Sequence, residues 1–160
     1  MVRRLELSQT ERGHFLLHPQ HVIAFRRAHP ILSKEQFCTD AEIRWFVSRK
    51  EPPNWSDPKC KTLACLINEE GQDRLYLMFN AATEETDFGL PPLPFGCRWR
   101  LAVDTFGSAP QDFSEAGREA HLDSSTTYRL ESRSNAVLQM TDELCRLVRL
   151  ILSICQRRSS

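Results

Sequence analysis

The chain has 160 residues, with Lys+Arg and Asp+Glu balanced at 21 each. That length can give a domain a real hydrophobic core, and the balance removes any bulk electrostatic case for nucleic acid or an anionic membrane. No apolar run approaches the roughly 20 residues of a membrane-spanning helix, and the opening MVRRLELSQTERGHF lacks the apolar core of a secretion signal.

In chain order, residues 1–17 have no clean period. His18-Pro19 reads as a helix entry, with Pro at the first helical position. Val22, Ile23 and Phe25 are the apolar positions of a helix over 19–28, or of the end of a longer one from Ser8. Pro30 stops it by pushing His29 out of the helical region. Glu42–Val47 alternates, and places Ile43, Trp45 and Val47 on one face of a half-buried strand. Glu51–Pro58 holds three prolines and is a loop. Thr62–Asn68 is apolar on both faces, which suits a central strand. Glu69–Asp73 is a hairpin turn. Leu75, Leu77 and Phe79 form the expected inward face of the next strand.

Thr86, Phe88 and Leu90 alternate with Asp87, and Pro91–Gly96 is a connector. Trp99, Leu101 and Val103 alternate with Arg98, Arg100 and Asp104. Phe106–Thr126 is a long polar excursion, either functional or packed on a sheet edge. Tyr128–Glu131 and Asn135–Gln139 are two last strands around the corner Ser132-Arg133-Ser134. About seven strands with turns every 8–12 residues suit an antiparallel β-sandwich. The tail then changes period: Leu144, Leu147, Val148, Ile151 and Ile154 predict an amphipathic helix with Thr141 as its cap.

Cys38, Cys60, Cys65, Cys97, Cys145 and Cys155 are dispersed, with no CxxC. They read as reduced thiols in a cytosolic-type compartment. His14, His18 and His21 have helical spacing, but Pro19 interrupts it and no ligand cluster accompanies them, so no metal is expected. No GxSxG elbow and no Gly-rich phosphate loop occur, so no catalytic residue and no cofactor is assigned. Glu69/Glu70, Glu84/Glu85 and Asp87 lie in or beside turns, where carboxylates are usually solvated.

Several segments, taken in order, resemble the end of an isoamylase or glycogen debranching enzyme, in the α-amylase clan of glycoside hydrolases. IAFRRAHPIL (Ile23–Leu32) resembles that family's last barrel helix and its exit. AEIRWF and NWSDP, then TLACLI, LYLMFNA, LPPL, WRLAVDT and YRLESRSNAVL, follow in the family's order, and SAPQDFSEAG (Ser108–Gly117) resembles its long loop. The resemblance covers about Val22 to Leu138. It implies a remnant of the catalytic barrel's last helix over 1–32, a C-terminal β-sandwich over 40–140 and an added amphipathic tail over 141–160. The family's catalytic carboxylates sit on a barrel of about 250 residues, upstream of anything matched here. The resemblance therefore implies a chain without α-1,6-glucosidase activity of its own, with the barrel as partner, in cytoplasm or in the plastid stroma of a plant or alga.

For sugar contact the candidates are Trp55, Asp57, Asn54 and Trp45: an aromatic face to stack on a pyranose, with hydrogen-bonding groups beside it. The plainer reading makes Trp45 core and lets Trp55 pin a Pro-rich loop; Trp99 reads as core outright. Two further functions stay open: a stand-alone glucan-binding module using Trp55 and the loop around Pro110, and a protein partner of a complete debranching enzyme. Without a barrel, Val22, Ile23 and Phe25 need another cover, and weak order is expected before about Leu32.

Overall fold

The computed structural model describes residues 20–68, 74–107, 114, 120–122 and 126–142. Helix α1 covers residues 20–28, and a 3-10 turn follows at Pro30–Leu32. His29 between them is extended, at φ −120° and ψ 94°, as a residue before proline must be. Its Nδ1–H donates to the Phe25 carbonyl at 2.8 Å and so closes the helix end.

Among the described residues eight strands follow: β1 Ile43–Phe46, β2 Thr62–Asn68, β3 Arg74–Asn80, β4 Thr86–Gly89, β5 Cys97–Asp104, β6 Ala120–His121, β7 Thr127–Leu130 and β8 Ser134–Asp142. They form a six-stranded sheet in the order β1-β2-β3-β8-β5-β6 and a two-stranded sheet of β4 and β7. Each pairing is antiparallel. The expected mainly β, sandwich-like architecture is the one observed. The hairpin turn at 69–73 lies outside the described residues, but its ends are set by the pair Asn68–Arg74.

The large sheet is apolar on both faces, and each face has its own core. Inside the sandwich, Ala64, Leu66, Tyr76, Met78 and Leu138 of the large sheet meet Phe88 and Leu130 of the small one. On the outer face, Cys65, Ile67 and Leu75 pack with Ile31, and Phe25, Leu32, Cys38 and Ile43 close over them. Phe25 is thus covered by the domain itself, whereas Val22 and Ile23 stay 45% and 50% exposed.

Two expected faces are corrected. In β3 it is Tyr76 and Met78 that point into the sandwich, both fully buried. Leu75 and Leu77 join the outer core, and Phe79 is 37% exposed. A strand apolar at nearly every position carries no alternation from which to choose a face. In β5 the expected alternation breaks at a bulge between Leu101 and Val103. Trp99 and Leu101 face the sandwich interior. Beyond the bulge Val103 pairs with Val137, which also pairs with Leu77, on the outer face. Asp104 turns inward instead, and its Oδ2 accepts from the Tyr128 hydroxyl at 2.7 Å. A bulge adds one residue to one strand and so reverses every side chain after it.

Buried polar groups tie the sheets together. Asn80, 2% exposed, donates its side-chain amide to the carbonyls of Glu84, Leu130 and Glu131 at 2.9, 3.2 and 2.9 Å. Its Oδ1 accepts from Ala82 N–H at 3.0 Å. One side chain therefore fixes both the turn after β3 and the corner after β7. That corner places Arg133 in the left-handed region at φ 51°. Tyr76 donates to the Gly89 carbonyl at 3.1 Å, and Trp99 to that of Pro91 at 3.0 Å. A Cβ at Gly89 would sit 2.6 Å from Lys50 Cε, so the Lys50 side chain would have to shift to admit one.

The long excursion after β5 does pack on the sheet edge where it is described. β6 pairs with Arg100 and Leu101, and Ser114 donates through N–H and Oγ to the carbonyls of Ala102 and Leu101 at 3.0 and 2.9 Å. Thr141, expected to cap the tail helix, is instead a β8 residue opposite Arg98. Its Oγ1 accepts from Arg100 Nε at 3.1 Å. The tail helix itself lies outside the described residues from position 143 onward, as do His14 and His18 and the loop around Pro110.

Candidate functional site

The helix and 3-10 turn cover only part of the outer face. In β1, β2 and β3 the register sets Trp45 opposite Cys65, Cys65 opposite Leu77, and Leu63 opposite Phe79. Paired residues share a face, so Trp45, Leu63 and Phe79 continue the outer apolar surface past the helix. Trp45 is 38% exposed, and its expected place in the core is corrected. The strand's inward residue is its neighbour Phe46, which packs edge-on against Tyr76 at 6.4 Å.

The loop between β1 and β2 brings Trp55 over this surface. Its ring lies edge-to-face with Trp45, with centroids 5.8 Å apart and planes at 78°, while 69% of the residue stays exposed. Beside it opens a cleft of about 300 Å³. Leu63 and Phe79 line it as apolar residues, and Asn54, Asp57, Lys61 and Thr62 as polar ones. Three of the four residues chosen from the sequence (Asn54, Trp55 and Asp57) line this cleft, and Trp45 touches it through the ring of Trp55.

The loop holds its shape by local hydrogen bonds. Asn54 Oδ1 accepts from Ser56 N–H at 3.2 Å, and Asp57 Oδ1 from Lys59 N–H at 2.9 Å. Asp57 N–H donates to the Asn54 carbonyl, and Cys60 N–H to that of Asp57, at 3.0 and 3.2 Å. Successive Asx-type turns of this kind fix a short loop without burying it. Leu63, Phe79 and Lys61 were not singled out from the sequence. For Phe79 the signal was misread, because its alternation with Leu75 and Leu77 pointed inward.

The other candidate chemistry resolves into structural contacts. Asp87, in β4, is held by Arg129 of β7 through bonds of 2.9 and 3.3 Å, and the guanidinium holds its carboxyl below the usual range. Arg129 also reaches Glu85 at 3.3 Å. Glu42 accepts from Lys34 and from Thr39 N–H and Oγ1, the latter two at 2.7 and 3.0 Å. These bonds, that of Lys34 first, lower its pKa to about 2. Burial, and secondarily the nearby Cys38, pushes the Cys65 thiol up to about 12. Among the described residues no group of three or more His, Cys, Asp and Glu is placed to hold a metal ion. Nor is any helix among them long and apolar enough to cross a membrane.

Comparison with known proteins places this fold. Residues 44–143 match the family model "Isoamylase 1-3, C-terminal", so the stretch from β1 to the end of β8 is what the family describes. The chain belongs to the family of isoamylase C-terminal domains. It is 31% identical over 114 residues to Isoamylase 3, chloroplastic, of Oryza sativa subsp. japonica, covering 70% of this chain and 14% of that protein. It is 29% identical over 106 residues to Isoamylase 2, chloroplastic, of Arabidopsis thaliana, covering 57% and 12%. It is 26% identical over 102 residues to the isoamylase of Pseudomonas amyloderamosa, covering 60% and 13%. The chain thus spans 12–14% of the length of these relatives.

Proposed function

We propose that this chain acts as the C-terminal domain of an isoamylase-type debranching enzyme, breaks no bond itself, and buttresses a (β/α)8 barrel that hydrolyses α-1,6-glucosidic bonds of glycogen or starch. The observation that carries this reading is that the family match, 44–143, coincides with the sandwich. Retaining glycoside hydrolysis needs two carboxyl groups about 5–5.5 Å apart. Asp87, Glu42 and Asp104 instead each answer to a partner that holds the fold: Arg129, the Lys34/Thr39 pair, and Tyr128.

The barrel docks through α1. Phe25 anchors the helix to the outer core, which leaves Val22 and Ile23 turned outward for a partner to cover. Because each is already about half covered, burying the rest is worth roughly 1 kcal/mol apiece, about half the value for a fully exposed side chain. In a plant or alga the site of action is the plastid, as the names of the rice and Arabidopsis relatives support; elsewhere it is the cytoplasm.

The purified chain incubated with glycogen is expected to release no new reducing ends, and cleavage would overturn this assignment. In a mixture with a complete isoamylase the chain should stay separate, because the full enzyme already carries its own domain at that position. Co-purification with the complete enzyme would favour a partner role instead.

A further inference from the structure

We propose that the cleft beneath Trp55 is a binding site for an α-glucan chain, separate from any catalytic centre. This rests on the reading above, which makes an α-glucan the polymer at hand, and goes beyond it in giving the sandwich a ligand of its own.

Four observations carry it. Trp55 projects from the domain with 69% of its surface open, yet it is not loose: its ring packs T-shaped with that of Trp45, centroids 5.8 Å apart, and Asx-type turns at Asn54 and Asp57 hold its loop. A large aromatic face held rigid in water is costly to leave uncovered and loses little entropy on binding. The cleft next to it, about 300 Å³, lies at the lower end of the roughly 300–1,000 Å³ range of small-ligand sites. That scale suits a short stretch of oligosaccharide.

The lining mixes an apolar floor, Leu63 and Phe79, with an amide, a carboxylate and an ammonium from Asn54, Asp57 and Lys61. A pyranose presents the same mixture, with C–H groups on its faces and hydroxyls around its rim. Each of these polar side chains gives or takes a hydrogen bond with a hydroxyl. The other occupant to weigh is a protein surface. The centre of a protein interface is depleted of Lys and Asp, and this cleft holds one of each among its lining residues. The cleft also lies beyond the part of the face that the helix and the 3-10 turn close.

The test uses the whole chain, with glycogen embedded in a native gel and maltoheptaose in titration. Wild type is expected to be retarded by glycogen. Trp55→Ala should weaken the interaction by about tenfold or more, as loss of a tryptophan anchor does. Phe95→Ala, at an aromatic 99% exposed outside the cleft, should bind as wild type. Trp99 is buried at 5% exposure, so a maltoheptaose-dependent change in wild-type tryptophan fluorescence would come from Trp45 and Trp55 and needs no variant. Absence of both retardation and fluorescence change, equal binding by Trp55→Ala, or equal loss in Phe95→Ala would each overturn the site. So would fluorescence that responds to an isoamylase barrel and not to maltoheptaose. None of these results touches the domain assignment, which is judged by the cleavage assay and by barrel docking.

Discussion

Asn80 shows how much of this fold hangs on single polar side chains. Its amide reaches three backbone carbonyls and its oxygen one N–H, so Asn80→Ala strands buried acceptors at two corners together. A loss of about 2–3 kcal/mol in urea unfolding is expected. Asn80→Asp should cost more at neutral pH, because a carboxylate would face carbonyl oxygens. Glu42 makes a pH-dependent contribution. Its folded pKa is depressed to about 2, below the ordinary glutamate value, so its share of stability is complete above the unfolded value and is lost as pH falls towards 2. The difference in urea midpoint between wild type and Glu42→Gln should therefore be widest near pH 6 and shrink by pH 2.5. A gap that does not change would show that the Lys34 and Thr39 contacts do not stabilise the charge. Neither role was legible in the sequence. A polar residue at a strand end looks the same whether it meets water or three carbonyls brought in from the turn after β3 and the corner at the end of β7.

Element existence was far more legible than element orientation. β2 was placed correctly because an apolar run on both faces implies neighbours on both sides, and β2 lies between β1 and β3. β3 turns Tyr76 and Met78 into the sandwich and Leu75 and Leu77 to the outer core, a choice its sequence hides because all four residues are apolar. Only the position of α1 and of the small sheet decides which core each pair enters. The bulge in β5 was invisible for a related reason: one extra residue leaves no compositional mark, yet it moves Asp104 inside and Val103 outside. Trp45 failed as a core residue because the helix stops short of it. Two measurements check this picture. Alkylation followed by mass spectrometry should modify exposed Cys60 quickly and leave Cys65 untouched until unfolding, since the Cys65 thiol is buried and its pKa raised to about 12. Hydrogen exchange in the isolated chain should be fast across 22–28, where one side of α1 faces water, and slow in β2 and β3. Slow exchange in α1 would show that the helix needs no further cover.

At the scale of the whole molecule, the order of segments carried the most information. Each short stretch of strand is common, but the succession from AEIRWF through NWSDP to YRLESRSNAVL is a topology written out in sequence, and the family match falls on it. The aromatic cleft was only half legible. Asn54, Trp55 and Asp57 are neighbours in the chain, while Phe79 and Leu63 reach them only once the sheet has formed. The central claim, that this sandwich serves an isoamylase barrel, is tested most directly by exchange of domains. Residues 20–142 are grafted in place of the equivalent C-terminal segment of the rice isoamylase 3 relative, and release of linear chains from branched α-glucan is measured. A soluble, active chimera is predicted, with activity lost when Val22 and Ile23 are both changed to Asp. An insoluble or inactive chimera, or one indifferent to those two changes, would contradict the account.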